Sequence, residues 1–473
     1  MNLPNMREAR VRSKNKVVIK RNDYIIPDSI KDIGKGKKYF ILTYGCQMNV
    51  HDSENISAIM EDMKYSRIDD MDKSDVIILN TCAIRENAHN KVMGMLGRIK
   101  HLKETNPNIV TIFCGCMAQE EGIVKELTDK YKWVDIVMGT HNINKLPLYI
   151  ENISKDRKQD IEVYSVEGDV IECLPVKRDS KYKAWVNIMY GCDKFCTYCI
   201  VPYTRGKQRS RLPEDIVNEV KELVSNGYKE VTLLGQNVNA YGKDLDINYN
   251  MANLLRDVSK TGIPRIRFVT SHPWDFTEEM IKVIAKYDNI MPYIHLPIQS
   301  GSSRILKLMN RRYTKEEYIT LFNKIKEYIP NCSISTDIIV GFPNETDDDF
   351  KDTLDIVNML KFDLAYTFIY SPRENTPASR MEDNITMDIK KERLAELNKL
   401  VNKYALMNNK KYKDKVVEVL IEGISEKKDK YMGYTDTMKL VNVSCDKKYV
   451  GKIVKVKITD VKTWSMDGVV VDD

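Results

Sequence analysis

The chain has 473 residues, 42% hydrophobic and 30% charged, which is enough for several domains and excludes a disordered polar chain. No stretch approaches the roughly 18 uncharged apolar residues of a membrane-spanning helix, and an apolar secretory segment is also missing. We therefore expect a soluble cytoplasmic protein without a membrane partner. Its ten cysteines are then packed thiols, nucleophiles or metal ligands rather than disulfides.

The net charge of +6 is small, but both ends of the chain are basic. Residues 1–38 carry eleven Lys or Arg against four acidic residues, and residues 410–462 carry fourteen Lys against eight. Either these ends are solvated surfaces, or they bind a polyanion such as a nucleic acid more weakly as salt rises.

After a basic arm at 1–36, short apolar runs alternate with helical patterns up to residue 150. The runs predict strands at 38–44, 76–80, 109–113 and 135–138, with helices such as 51–63 and 86–104 between them. This alternation predicts a flavodoxin-like open parallel sheet over 37–150. The polar region 151–183 is predicted to be a linker.

The region 184–405 repeats the alternation six times. Its strands are predicted at 185–190, 231–234, 265–270, 293–298, 333–340 and 364–370, with helices such as 213–226, 316–328 and 347–360. Six units indicate an incomplete (βα)6 barrel with its active site at the carboxyl ends of the strands. A helix at 387–411 closes this region, and 406–473 is predicted to be a small antiparallel β-barrel with strands at 416–421, 438–443 and 451–461.

Three cysteines follow the first strand of this second region, in Gly191-Cys192-Asp-Lys-Phe-Cys196-Thr-Tyr-Cys199. Three thiolates within eight residues can converge on one metal site. Structural zinc would need a fourth ligand, and the nearest downstream histidine is His272. Three ligands on a four-iron cluster leave one iron open for a small molecule, so we favour an iron–sulfur cluster.

This spacing, with an aromatic residue before the last cysteine, resembles the radical S-adenosylmethionine (SAM) superfamily. The resemblance implies that the open iron binds the amino and carboxylate groups of SAM. It also implies that an electron from the cluster cleaves SAM to a 5′-deoxyadenosyl radical. The superfamily uses the incomplete barrel predicted above.

Cys46, Cys82 and Cys116 form a second candidate triad, because each follows a predicted strand. In a parallel open sheet these three strand ends lie at one edge, where ligands bind. From the pattern alone, packed core thiols explain the three residues equally well.

The motifs around these cysteines resemble the methylthiotransferases over residues 37 to the end. They are Thr43-Tyr-Gly-Cys-Gln-Met-Asn49, Asn80-Thr-Cys-Ala-Ile-Arg-Glu-Asn-Ala88, Gly115-Cys-Met-Ala-Gln119, 191–211, Leu234-Gly-Gln-Asn-Val-Asn-Ala-Tyr-Gly242, Thr270-Ser-His-Pro273, His295-Leu-Pro-Ile-Gln-Ser-Gly-Ser302 and Ser335-Thr-Asp-Ile-Ile-Val-Gly-Phe-Pro343. The resemblance implies two [4Fe-4S] clusters, an auxiliary one on the second triad and a radical-generating one on Cys192, Cys196 and Cys199. It further implies a C-terminal TRAM domain that binds RNA.

Tyr-Gly-Cys-Gln-Met-Asn is the form of MiaB-type members. These add a methylthio group to C2 of N6-isopentenyladenosine next to the anticodon of tRNA, using one SAM as methyl donor and another as radical source. The alternative is the same chemistry on threonylcarbamoyl-adenosine tRNA or on a ribosomal-protein aspartate. The implied partners are tRNA and a low-potential donor such as flavodoxin or ferredoxin, and we expect a monomer.

Two rivals come from other classes of protein. The first is a non-catalytic RNA-binding protein with structural zinc. The second is an electron carrier. The first strand is not followed by the Gly- or Ser/Thr-rich loop that would bind the phosphate of a flavin, which argues against this rival.

No side chain is assigned as an acid or base. The candidate SAM contacts are Tyr198, Gly235, Gln236, Gln299, Ser335 and Asp337, of which the last two are equally suited to a structural role. His272 and His295 either line the pocket or are structural. Cys114 rivals Cys116 as a ligand, and we expect Cys173, Cys332 and Cys445 to be structural.

Three positions depart from the family, which usually has Gly where this chain has Asn344, Asn375 and Arg312. Asn tolerates the left-handed backbone region, so we expect the first two turns to be kept. Arg312 either contacts a phosphate or is solvated.

Overall fold

The computed structural model describes residues 5, 18–21, 24–83, 86–164, 170–172, 174–426 and 429–471, without the side chains of 86–89. Half of the basic arm at 1–36, together with Cys173, lies outside these residues. The chain divides into two compact units, the first made of 1–179, 187–195 and 199–215 and the second of the remaining residues. Of the helices in the described ranges, none has the length and apolar character needed to cross a membrane.

A six-stranded parallel sheet dominates the first unit. Its strands lie in the spatial order Ser66–Arg67, Lys38–Thr43, Val76–Thr81, Val110–Gly115, Ile136–Met138 and Asp160–Glu162. In sequence numbering this order is 2-1-3-4-5-6, the flavodoxin-like arrangement with one strand added. The connecting helices are Gln47–Asp62, Glu86–Thr105, Glu121–Lys130 and Leu146–Lys155. The predicted open parallel sheet is confirmed.

Helices cover both faces of this sheet, which is why its strands are apolar on both sides. Ile78 packs in a cluster with residues of Gln47–Asp62 and Leu146–Lys155. Its neighbour Leu79 packs in the cluster that holds residues of the other two helices. With both faces covered, the carboxyl edge of the sheet is where a ligand can bind.

The described part of the region 151–183, predicted as a linker, contributes two short strands. Asp160–Glu162 is the sixth strand of the sheet. Val170–Glu172 pairs in parallel with Ile19–Arg21 of the basic arm. These parts of the predicted linker therefore belong to the fold of the first unit.

Six β-strands in two three-stranded runs form the core of the second region. They are Lys183–Asn187, Glu230–Leu234, Arg265–Phe268, Tyr293–His295, Ser333–Val340 and Leu364–Ile369. Ile266 joins the two runs, because its N–H donates to the Asn289 carbonyl at 2.7 Å and its carbonyl accepts from Met291 N–H at 2.9 Å. The helices are Pro213–Ser225, Met251–Ser259, Glu278–Lys286, Ser303–Leu308, Lys315–Tyr328 and Asp347–Leu360. The incomplete (βα)6 barrel is confirmed.

The helix Met387–Lys410 leads into a closed five-stranded barrel. Its strands lie in the order Val416–Ile424, Tyr431–Thr435, Leu440–Ser444, Met466–Val470 and Ile453–Val461. Alternate side chains fill its apolar interior, among them Val419, Val441 and Ile458. The predicted barrel is confirmed, with one correction: Leu440–Ser444 and Met466–Val470 run parallel, and the other neighbours are antiparallel.

Candidate functional site

The cysteines of the first triad follow three neighbouring strands of the parallel sheet. Cys46 comes after Lys38–Thr43 and Cys82 after Val76–Thr81, on either side of the point where the strand order reverses. Cys116 follows the next strand. Burial raises the pKa of the Cys116 thiol to about 12, with Arg205 acting against the rise and Cys82 and Cys46 adding to it. The sheet therefore brings the three thiols within electrostatic reach of one another.

A buried amide network holds these strand ends together. The Asn49 side chain donates to Asn80 Oδ1 at 3.0 Å and to the Thr81 carbonyl at 3.1 Å. The Asn80 amide donates in turn to the Asn49 carbonyl at 2.8 Å and to Ser53 Oγ at 2.9 Å. Gly115 has a φ of 94°, and a Cβ there would lie 2.4 Å from Asn80 Oδ1. Only glycine fits this turn, which carries the chain directly into Cys116.

The structure separates Cys116 from its rival Cys114. Cys114 packs in the sheet core with Ile112 and Met138, and burial raises its thiol pKa strongly. Cys116 packs instead with Ala83 and with residues that follow the second triad. Cys114 thus has the surroundings of a core thiol, and Cys116 lies at the edge with Cys46 and Cys82.

A buried arginine contacts the first triad. Arg205 Nε donates to Cys116 Sγ at 3.2 Å, and Nη2 donates to Asp52 Oδ2 at 2.6 Å. The Arg205 and Asp52 side chains are 5% and 7% exposed. Burial lowers the pKa of Arg205, but Asp52 and Cys116 hold it well above its usual value. A fixed positive charge therefore lies beside Cys116.

The donor set fits an iron–sulfur cluster. Within the described ranges, no group of three or more His, Cys, Asp or Glu side chains is arranged to hold a metal ion. Each thiolate of a four-iron cluster binds a different iron, so the sulfurs of its ligands lie farther apart than those around a single ion. Soft thiolates are the ligands of such clusters, and Cys46, Cys82 and Cys116 would supply three.

The second triad lies on the loop between the strand Met189–Tyr190 and the helix Val201–Thr204. Within the first unit, Cys192 N–H donates to the Gly206 carbonyl at 3.1 Å. Gly191 has a φ of 70°, and a Cβ there would lie 2.1 Å from the Lys207 carbonyl oxygen. This close approach of two backbone segments sets the start of the cysteine loop.

Within the second unit, another buried arginine contacts Cys196. Arg311 Nη1 lies 3.4 Å from Cys196 Sγ, and Nη2 donates to the Pro297 carbonyl at 2.9 Å. Arg311 Nε donates to Tyr313 OH at 3.0 Å. In each triad, therefore, at least one cysteine sulfur accepts from a buried guanidinium.

Comparisons with known proteins place the chain in a family. Residues 38–139 match the Uncharacterized protein family UPF0004, residues 186–357 the Radical SAM superfamily and residues 410–471 the TRAM domain. The tRNA-2-methylthio-N(6)-dimethylallyladenosine synthase of Shouchella clausii is 55% identical over 99% of this chain and 90% of that relative. The protein of the same name from Bacillus subtilis is 54% identical over 99% and 92%. The chain belongs to the family of tRNA-2-methylthio-N(6)-dimethylallyladenosine synthases.

Membership in this synthase family makes the chain a radical SAM enzyme and implies a [4Fe-4S] cluster and SAM. Among solved structures, the fold is similar to TsrM, a radical SAM methyltransferase from Kitasatospora setae, with cobalamin and a [4Fe-4S] cluster bound. The TM-score is 0.53 at 13% identity, over 72% of this chain and 77% of that one. At this identity the likeness concerns the fold alone.

Four of the candidate SAM contacts of this synthase-family chain lie on loops. Gly235 and Gln236 directly follow the strand Glu230–Leu234. Gln299 has a φ of 73°, and its N–H donates to the Asp337 carbonyl at 2.9 Å. Tyr198 packs against the apolar cluster of residues 305–378, and its hydroxyl lies 3.5 Å from Arg311 Nη1.

The other two candidates lie inside a strand and contact His295. Ser335 Oγ is hydrogen-bonded to Tyr293 OH at 2.8 Å and to His295 Nδ1 at 2.9 Å. Asp337 Oδ2 lies 3.4 Å from His295 Nε2. Ser335 is thus engaged by its neighbours, and a SAM role for it and for Asp337 remains a prediction.

The three departures from the family all have a left-handed backbone. The φ values of Asn344, Asn375 and Arg312 are 67°, 68° and 57°. The expectation that Asn keeps the first two turns is confirmed. The Arg312 guanidinium lies 5.0 Å from the centre of the exposed Trp274 ring, a cation–π contact that partly offsets its backbone strain.

The sequence did not point to Arg205, Asp52 or Arg311. Arginine and aspartate are usually solvated, and a pattern of residue types does not show which ones are buried and paired. Arg205 and Cys116 are also 89 residues apart. The sequence offered a cue for two of the three: Arg205 lies in the motif 191–211, and Arg311 directly precedes Arg312.

Proposed function

We propose that this synthase transfers a methylthio group to C2 of N6-isopentenyladenosine beside the anticodon of tRNA. One SAM would be the methyl donor and a second the radical source. The observation that carries the proposal is the meeting of Cys46, Cys82 and Cys116 at one sheet edge. A radical SAM enzyme that only cleaved SAM would need the second triad alone. The names of the relatives support the choice of substrate.

Each triad would hold one [4Fe-4S] cluster, the radical cluster on Cys192, Cys196 and Cys199 and the auxiliary one on Cys46, Cys82 and Cys116. When bound, the clusters supply the electron for SAM cleavage and the sulfur for transfer. C2 of adenine carries an unactivated C–H bond, which no side-chain base deprotonates usefully. The protein's own part is therefore to bind and orient, and no acid or base is assigned.

Residues of the second unit would position SAM. Tyr198, Gly235, Gln236 and Gln299 are the proposed contacts on loops, with Ser335 and Asp337 on the strand beside His295. Arg311 would keep Cys196 in place, since its guanidinium is fixed by the Pro297 carbonyl.

The C-terminal barrel would contact tRNA. Lys452, Lys455 and Lys457 are exposed on or beside the strand Ile453–Val461, where they can meet phosphates. Lys430 and Lys462 instead form ion pairs with Asp467, at 3.0 and 2.7 Å. An adenine in the anticodon loop is single-stranded, so turning it out breaks few base pairs. We further propose a cytoplasmic monomer that receives electrons from flavodoxin or ferredoxin.

The substrate is tested by anaerobic turnover of the reconstituted protein with SAM, dithionite and one tRNA prepared in two forms. One form carries isopentenyladenosine and the other threonylcarbamoyl-adenosine, and nucleosides are analysed by mass spectrometry. We expect a 2-methylthio adduct on the first form only. An adduct on the second form only, or SAM cleavage with no adduct on either, would contradict the proposed substrate and move the test to the ribosomal-protein aspartate.

A further inference from the structure

Arg205 is held rigidly at the edge where the first triad meets. It ends the helix Val201–Thr204, and its N–H donates to the Val201 carbonyl at 2.8 Å. Its own carbonyl accepts from Arg209 Nη2 at 3.0 Å. Thr140 Oγ1 donates to the adjacent Thr204 carbonyl at 2.7 Å. Hydrogen bonds thus fix the main chain on both sides of Arg205, and its side chain extends from this fixed backbone to Cys116 and Asp52.

The guanidinium divides its donors between a sulfur and a carboxylate. Nε points at Cys116 Sγ and Nη2 at Asp52 Oδ2, at 3.2 and 2.6 Å. Asp52 lies on the helix that Cys46 begins as its N-cap residue. Arg205 therefore links the turn of Cys116 to the helix of Cys46, through one side chain that is 5% exposed.

An N–H donor on a ligand sulfur changes the properties of the cluster that the sulfur holds. Such a hydrogen bond draws electron density from the sulfur, and the nearby positive charge favours the more negative, reduced form. Asp52 orients the guanidinium and partly offsets its charge from a greater distance. The net effect at the sulfur is that of the nearer group, Arg205.

We propose that Arg205 is a positioning residue of the auxiliary cluster, which holds Cys116 and raises the reduction potential of that cluster, with Asp52 orienting it. The inference rests on the proposed assignment of the first triad to a cluster. Arg205 lies six residues after Cys199 in the sequence. The segment that carries the second triad therefore also helps to build the site of the first.

The test uses the full-length protein with Cys192, Cys196 and Cys199 replaced by Ala, so that only the auxiliary cluster is loaded. Iron content is counted, and the midpoint potential is measured by anaerobic titration followed by electron paramagnetic resonance. The variants are Arg205→Lys and the double variant Arg205→Gln with Asp52→Asn, which leaves no unpaired buried charge. Arg211→Lys is the matched control, because that buried guanidinium binds Glu172 at 2.7 Å and the Asn187 carbonyl at 2.7 Å.

We expect the double variant to bind full iron and to be at least tenfold harder to reduce, a shift of about 59 mV to more negative potential for one electron. The midpoint potential of Arg205→Lys should fall between those of the double variant and the parent. The midpoint potential of Arg211→Lys should match that of the parent. Loss of iron in the Arg205 variants alone would support the positioning role. An unchanged potential with full iron, or equal losses in Arg211→Lys, would overturn the inference. If removing Cys46, Cys82 and Cys116 left this iron in place, the proposed function itself would fail.

Discussion

Replacing Arg267 by Met should weaken the attachment of the C-terminal barrel to the six-stranded core within the second unit. Arg267 Nε lies 2.9 Å from Glu230 Oε2. Its other two nitrogens donate to barrel carbonyls, to Asp436 at 2.8 Å and to Thr435 at 2.7 Å. The Arg267 and Glu230 side chains are each 3% exposed. The substitution therefore leaves a buried carboxylate without this partner and removes the donors of two carbonyls.

Breaking a buried ion pair by removing one partner costs about 3–5 kcal/mol. Lys183 Nζ offers little compensation, because it is 4.0 Å from Glu230 and binds Glu422 more closely, at 2.7 Å. We therefore expect Arg267→Met to lower the stability of the second unit by an amount in that range. Adding Glu230→Gln should recover part of the loss, since it removes the lone charge.

The stability change is measured by hydrogen exchange of the barrel strands in increasing urea, which reports local opening without assuming two-state unfolding of the whole chain. Arg256→Met is the matched control, because Arg256 and Glu279 form a half-exposed pair at 3.5 Å. Such a pair is worth about 0.2–1 kcal/mol. If Arg267→Met costs no more than this control, the barrel is not anchored by the buried pair and the reasoning is wrong.

The remaining predictions concern the cysteines and the barrel. Cys196→Ala should abolish 5′-deoxyadenosine formation, measured by chromatography, whereas Cys82→Ala should spare it and remove methylthiolation; retained product in Cys82→Ala would contradict the auxiliary site. Cys114→Ala should keep the iron content of the parent, because Cys114 is a core thiol, and a loss of about four irons would make it a ligand. Burial opposes ionisation of Asp467, but Lys462 and Lys430 lower its pKa from 3.8 to about 2. Its stabilising effect on the barrel is thus full above about pH 4 and lost as the pH falls toward 2. Asp467→Asn should remove this acid dependence of barrel stability, followed by circular dichroism. An unchanged pH profile in the variant would refute this role of Asp467.

The sequence predicted the elements whose apolar pattern is long and regular. The strand 333–340 and the helix 347–360 have the bounds expected for them. The pattern also made a meeting of Cys46, Cys82 and Cys116 possible, because parallel strands carry their carboxyl ends to one edge. It explained packed core thiols equally well, and the resemblance of the surrounding motifs decided between the two.

The elements that the sequence did not reveal are short or interrupted. Tyr431–Thr435 and Met466–Val470 each contain a glycine, and a Cβ at Gly433 would lie 2.1 Å from the Leu420 carbonyl oxygen. Glycine weakens a strand signal, although here it permits close approach of two barrel strands. Asp160–Glu162 has only three residues, too few for alternation to register, so it was included in the predicted linker.

Iron analysis tests most directly whether the two cysteine triads hold two clusters. Iron and acid-labile sulfide are counted after anaerobic reconstitution of the parent protein and of two triple Cys→Ala variants, one for each triad. We predict about eight irons per chain in the parent and about four in each variant. Only the variant that keeps the second triad, Cys192, Cys196 and Cys199, should still cleave SAM. If either triple variant keeps the iron content of the parent, the corresponding triad does not bind a cluster and the account is contradicted.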